Sequence, residues 1–275
     1  MNFLPNYLDI RGSDAHPTRT AVLLHGILGS SRNWRSFVRG LVGSHPEWRF
    51  LLVDLRGHGD SRTAQPPHTL ESCARDIARL LGELDVHPDW VCGHSFGGKV
   101  ALRYAEKFGR GLEALWVLDT PFGSRPLGLQ ENDYGVEHLM RTLGTFSMPV
   151  QDRSEVLSLL RSLGFGDSVC QWMGTNLVRE PDGFRWRFDL TTTYALLIDY
   201  RKADFWPFVD QAGKLMETHL VYGELSDRWP EGELARARAL AEQGKLELHS
   251  LEKAGHWLHV DNPAGLRDLM SGYLG

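Results

Sequence analysis

Four places in the 275-residue chain carry side chains whose type and spacing suit covalent chemistry. The first is Gly93-His94-Ser95-Phe96-Gly97, a Gly-x-Ser-x-Gly run that follows the apolar stretch Trp90-Val91-Cys92 and leads into a helical pattern from Val100 to Phe108. Strand, sharp turn and helix in that order make a nucleophile elbow. Small residues at 93 and 97 let strand and helix approach closely, and the serine hydroxyl is raised to a helix N-terminus, where backbone N–H groups favour negative charge.

A serine hydroxyl is a poor nucleophile at neutral pH and needs a base within hydrogen-bond reach. His256, in Lys253-Ala254-Gly255-His256-Trp257, directly follows the last strand pattern and is the candidate base. His259 lies further along, where it orients the loop or faces solvent. The imidazole in turn needs a carboxylate to orient it and to stabilise its cation. Asp227 is the first choice, because it follows the penultimate strand and completes the order Ser, Asp, His. Asp119, at the end of the strand after the elbow, is the alternative, and Glu224 reads as a solvated loop carboxylate. Acyl transfer builds a negative oxygen that fixed backbone donors stabilise. The N–H of Phe96 and that of Ile27, in the loop after the first buried strand, are the expected pair, with Leu28 the alternative to Ile27. His25 reads as a residue that fixes this loop.

Two further motifs read as structure. Asp54-Leu55-Arg56-Gly57-His58-Gly59-Asp60-Ser61 suits a tight turn at a strand end, and no second ligand cluster supports phosphate or metal binding. Lys99 is expected on the helix surface or as a tether for a loop; a catalytic role would need strong desolvation.

The elements that must hold these residues alternate along the chain. Tyr7-Leu8-Asp9-Ile10 is an edge-strand pattern. Thr20–Leu24, Phe50–Val53, Trp90–Cys92, Ala114–Asp119, Leu220–Gly223 and Leu246–His249 are apolar runs of the kind covered on both faces in a parallel sheet. Helical patterns over Trp34–Val42, Leu70–Leu84, Val100–Phe108, Glu231–Glu242 and Ala264–Tyr273 separate them. Between Thr120 and Pro207 the rhythm changes to helical stretches over Val136–Phe146, Ser154–Leu163, Ser168–Val178 and Thr192–Tyr200, with no buried strand. The spacing predicts an α/β core from residues 1–120 and 208–275, and a helical cap over the strand ends from residues 121–207. Apolar side chains of this region and of the His256 loop (Phe122, Leu139, Met140, Phe146, Trp172 and Trp257) are candidates for contact with substrate.

Bulk properties narrow the function class. A formal charge of −5 with no basic stripe argues against nucleic acid as a partner. No apolar run reaches the length of a membrane span, and the first residues lack the pattern of a signal peptide, so a cytoplasmic location is expected. Cys73, Cys92 and Cys170 form no metal-like spacing and no even disulfide set. A monomer or small homo-oligomer is expected.

Taken in order, the His25-Gly26 loop, the Asp54–Ser61 turn, the elbow and the Gly255-His256 loop resemble the α/β-hydrolase superfamily. Gly-His-Ser-x-Gly-Gly-Lys together with Ala254-Gly255-His256-Trp257-Leu258-His259 is similar to an esterase subgroup that includes bacterial YbfF-like esterases and the eukaryotic abhydrolase-domain-containing protein eleven. The subgroup tends to have a Gly-Gly-Asn-Ser-type loop where this chain reads Gly223-Glu224-Leu225-Ser226-Asp227. The resemblance implies a triad of Ser95, His256 and an acid that hydrolyses small or medium acyl esters or thioesters, with no metal and no organic cofactor. Carbon–carbon bond hydrolases, lactonases and acyltransferases use the same machinery, and a non-catalytic ligand-binding receptor of the same fold is the reading from another class.

Overall fold

A computed structural model describes residues 3–13, 16–125 and 135–275. Seven strands form one sheet in the order β1-β3-β2-β4-β5-β8-β9. They are β1 (Tyr7–Arg11), β2 (Arg19–Leu24), β3 (Trp48–Val53), β4 (Trp90–His94), β5 (Ala114–Leu118), β8 (Glu217–Gly223) and β9 (Glu247–Leu251). Only β1 runs antiparallel, against β3. All the others are parallel to their neighbours, so the carboxyl ends of β2, β3, β4, β5, β8 and β9 share one edge of the sheet.

The near-continuous apolar runs have a physical reason in the two cores that flank this sheet. Successive side chains of a strand point to opposite faces, and both faces are covered. Val22, Leu24, Leu51, Val53, Val91, Leu115 and Val117 enter one core with α2 (Leu70–Glu83) and α3 (Phe96–Phe108). Ala21, Leu23, Phe50, Leu52, Cys92, Trp116 and Leu118 enter the other with α1 (Arg32–Val42) and α11 (Pro263–Ser271). Cys92 is fully buried in the central strand. The start of α2 is set by Thr69, whose side chain accepts a hydrogen bond from the N–H of Ser72.

Between β5 and β8 the structure has α4 (Val136–Leu143), α5 (Arg153–Ser162), α6 (Asp167–Thr175), α7 (Leu190–Lys202) and α8 (Trp206–Ala212). It also has a feature the helical patterns hide. An antiparallel hairpin of β6 (Leu177–Glu180) and β7 (Gly183–Trp186) interrupts the helices. Each strand has four residues, too few for a period-2 signal, and Val178 had extended the preceding helical pattern. Backbone bonds stitch this region to the turn after β3, with the N–H of Asp189 donating to the Gly57 carbonyl at 2.7 Å. The last helices are α9 (Glu233–Glu242), the four-residue α10 (Leu258–Asp261) and α11.

Candidate active site

Ser95 ends the β4 ladder and caps α3 with φ +54° and ψ −117°, a conformation that a non-glycine residue holds only under constraint. The constraint is packing. A Cβ at Gly93 would collide with the Gly97 carbonyl, and one at Gly97 would sit 2.6 Å from the carbonyl oxygens of both Leu24 and His25. The Ser95 N–H donates to the Leu118 carbonyl at 3.0 Å. On the adjacent strand, Leu118 is the partner of His94, and the next residue, Asp119, also has a positive φ, of 46°. Two paired strands thus lead into two residues with strained backbones.

The Ser95 hydroxyl lies 3.1 Å from Nε2 of His256, and Nδ1 of His256 lies 2.7 Å from Oδ2 of Asp119. Asp119 is fully buried and accepts three further hydrogen bonds: the Ser226 hydroxyl at 2.6 Å, the Trp229 indole N–H at 2.9 Å and the Gly223 N–H at 3.2 Å. Four donors in all satisfy this buried carboxylate and fix its orientation.

The loop after β8, expected to carry the acid, brings three donors to Asp119, the alternative acid. Asp227 does not reach His256. Its side chain is 79% exposed and pairs with Arg228 at 3.0 Å. The physical reason is the turn closed by the Ser226 N–H on the Gly223 carbonyl, which points Ser226 inward and carries Asp227 to the rim of the cavity. Glu224 accepts from the Lys253 N–H. Sequence reasoning missed Ser226 and Trp229 as partners of Asp119; the Ser-Asp-x-Trp order carried no signal beyond a polar loop.

The loop after β2 is held by a reciprocal pair of histidines. Nε2 of His25 accepts the Leu55 N–H at 3.0 Å, and Nε2 of His58 accepts the Leu28 N–H at 3.0 Å. Each ring donates from Nδ1 to a carbonyl, His25 to Gly26 and His58 to Arg56. Both rings are therefore neutral, and burial pushes His58 down to about 3. The Leu28 amide, the alternative oxyanion donor, is committed to His58. Ile27 lines the cavity, and Phe96 is the first residue of α3, whose N–H precedes the intrahelical ladder. The Asp54–Ser61 turn is bonded within itself and to its surroundings, with Asp54 accepting from Asp60 and also from Ser31 and Asn6, and Arg56 paired with Asp76 on α2.

His94 supports the candidate base from below. Its Nε2 donates to the His256 carbonyl at 2.7 Å, and the two rings pack at 4.8 Å. His259 packs against Trp34 at 4.4 Å with the rings tilted by 34°, and burial lowers it to about 4. Lys99 is buried rather than on the helix surface, and desolvation brings its ammonium down to about 7, with Arg125 contributing.

A cavity of about 610 Å³ opens above Ser95, lined by Ile27, Phe96, Asp119 and His256 from the strand ends and by residues of α4, α6 and α7. Of the six candidate contact residues, Leu139, Trp172 and Trp257 line it. The other three are packing residues. Phe122 is fully buried edge-on to Trp206, Met140 is 2% exposed on a different side of α4 from Leu139, and Phe146 packs edge-on to Trp186. Neighbouring positions on a helix point about 100° apart, and here Leu139 is turned toward the cavity and Met140 away from it. Tyr200, Leu197 and Phe165 line it without having been singled out in the sequence. Among the described residues, no group of three or more His, Cys, Asp or Glu side chains is placed to hold a metal ion, and no helix is long and apolar enough to cross a membrane.

The Alpha/beta hydrolase family matches residues 21–269. The chain belongs to this family. Among curated relatives of this hydrolase, the sn-1-specific diacylglycerol lipase ABHD11 of Mus musculus is 29% identical over 259 residues, covering 92% of the chain and 80% of the relative. Esterase YbfF of Escherichia coli is 24% identical over 281 residues, covering 97% and 98%. Among solved structures, a marine microorganism esterase superposes with a TM-score of 0.82 at 21% identity, covering 99% of the chain and 100% of that structure, a likeness of fold.

Proposed function

We propose that this hydrolase cleaves small or medium acyl esters or thioesters through an acyl-enzyme on Ser95, with His256 as general base and Asp119 as the acid. The observation that carries this reading is the continuous bonded chain from the Ser95 hydroxyl through His256 to a saturated, buried Asp119. As Ser95 Oγ attacks the acyl carbonyl, its proton passes to Nε2 of His256, and Asp119 stabilises the imidazolium that forms. The N–H groups of Phe96 and Ile27 receive the negative oxygen of the tetrahedral intermediate. The proton then goes to the departing alkoxide or thiolate. Water, deprotonated by His256, attacks the acyl-enzyme and releases the acid.

In this reading residues 121–207 act as a cap whose α4, α6 and α7 side chains hold the acyl group. The mainly apolar wall of Leu139, Trp172 and Leu197 favours an aliphatic chain over a charged one at that end of the cavity.

The test pairs a fluorophosphonate probe with p-nitrophenyl ester hydrolysis, using the wild type and Ser95→Ala. The expected result is labelling and turnover in the first and neither in the second. Ester turnover that survives Ser95→Ala would overturn the mechanism. A wild-type protein that binds esters but never labels would favour the receptor reading.

A further inference from the structure

The chain leaves the sheet after β5 and returns to it through two segments that lie side by side. The Arg125 N–H donates to the Arg201 carbonyl at 2.7 Å, and the Phe205 N–H donates to the Phe122 carbonyl at 2.9 Å. Residues 122–125 and 201–205 therefore form one antiparallel double-chain crossing between sheet and cap.

Lys99 reaches into this crossing from α3. It lies one helical turn after Ser95 and is 1% exposed. Its Nζ donates to the Gly123 carbonyl on the outgoing chain at 2.7 Å, and to the Ala203 and Tyr200 carbonyls on the returning chain at 2.7 and 3.1 Å. An ammonium has three N–H donors, and all three are used. The two acceptors on the returning chain belong to the end of α7, where carbonyls lack intrahelical partners and a cation is favoured. Among the described residues, no carboxylate lies within ion-pair distance of Lys99. A residue kept merely to fill this volume would be apolar, since burying an ammonium is costly. What the ammonium adds is a fixed distance between α3 and both chains of the crossing.

That distance governs one wall of the cavity. The Tyr200 ring packs on Phe96 at 5.9 Å and sits under Lys99 at 4.6 Å. Tyr200 and Leu197, both on α7, line the cavity above Ser95.

We propose that Lys99 is a positioning residue for acyl-group selectivity: it pins both chains of the cap crossing to the nucleophile helix, and so sets the α7 wall at a fixed height over Ser95. The inference rests on the Ser95 hydrolase reading above. The acyl group of an acetate ester ends close to Ser95, whereas an octanoyl chain must run along the wall that Lys99 holds.

The experiment compares p-nitrophenyl acetate with p-nitrophenyl octanoate in wild type, Lys99→Met and Lys99→Gln, with thermal melting to establish that each variant is folded. In Lys99→Met, kcat/KM for acetate stays within about threefold of wild type, while that for octanoate falls by about tenfold or more, chiefly through KM. Lys99→Gln, which keeps two donors, falls between. A loss of folded protein would lower both substrates in proportion and leave their ratio alone. A folded Lys99→Met with the wild-type octanoate-to-acetate ratio overturns the proposal. If neither variant folds, hydrogen exchange on the wild type decides. The Arg125 and Phe205 amides must be as protected as those of β5; exchange at the rate of exposed loops overturns the pin. A wild type that neither labels with fluorophosphonate nor turns over any ester sinks the hydrolase reading instead, which keeps the two failures distinct.

Discussion

The indole N–H of Trp229 donates to Oδ1 of Asp119 at 2.9 Å, leaving Oδ2 to face Nδ1 of His256 at 2.7 Å. Oδ2 also accepts from the Ser226 hydroxyl at 2.6 Å, and Oδ1 from the Gly223 N–H at 3.2 Å, so both oxygens are held from the loop after β8. Trp229→Phe removes a charge-assisted bond while keeping most of the ring volume. The expected cost is about 1–3 kcal/mol of stability, with a fall in kcat smaller than that of any change to Asp119 itself. Urea unfolding and steady-state kinetics on one preparation check both.

Asp119→Asn and Asp227→Asn separate the two candidate acids. The first should lower kcat by about a thousandfold or more, because an amide cannot both hold the productive tautomer and stabilise the imidazolium. The second should leave kcat within about twofold, because an exposed ion pair contributes little. Equal losses in the two variants would contradict the assignment of Asp119.

The buried imidazoles make the fold sensitive to acid. His58 and His219 are each lowered by burial to about 3, and His259 to about 4. As pH falls below the ordinary histidine value of about 6.5, the unfolded chain binds protons that the folded chain refuses, so stability is lost toward lower pH. His58 alone contributes about 2 kcal/mol of loss between pH 7.5 and 5. In urea melts at pH 7.5 and 5.0, His58→Gln should start less stable, because the Leu28 amide loses its ring acceptor, yet show a smaller drop between the two conditions.

Phe122 and Leu139 test the division between packing and lining. Phe122→Ala should cost about 3–5 kcal/mol without changing which acyl chain is preferred. Leu139→Phe narrows the cavity and should shift preference toward shorter esters at little cost in stability. A chain-length series from acetate to decanoate, run beside thermal melts, reads both.

Much of this was legible in the sequence. The six parallel strands and their flanking helices follow from apolar runs that serve two cores at once, and Ser95 and His256 follow from glycine-bounded turns directly after such runs. The carboxylate that meets His256 was legible only as a choice of two. Both aspartates follow strands, and which one points inward depends on a turn at Ser226 and on the backbone conformation of Asp119, neither of which leaves a mark in residue order. The β6–β7 hairpin was hidden by its short strands. Phe122, Met140 and Phe146 were indistinguishable by composition from Leu139 and Trp172, because apolar side chains that pack and those that line a cavity differ only in direction.

Ser95 and Asp119 each follow one member of the bonded strand pair His94 and Leu118. Their separation is therefore as stiff as the centre of the sheet and independent of any loop length. For anyone altering this enzyme, the exposed side chains Glu224, Leu225 and Asp227 are the ones to change first, because the Gly223 N–H, the Ser226 hydroxyl and the Trp229 indole are what this loop lends to Asp119. The carboxylate that meets His256 sits on the sheet, and the loop only brings donors to it.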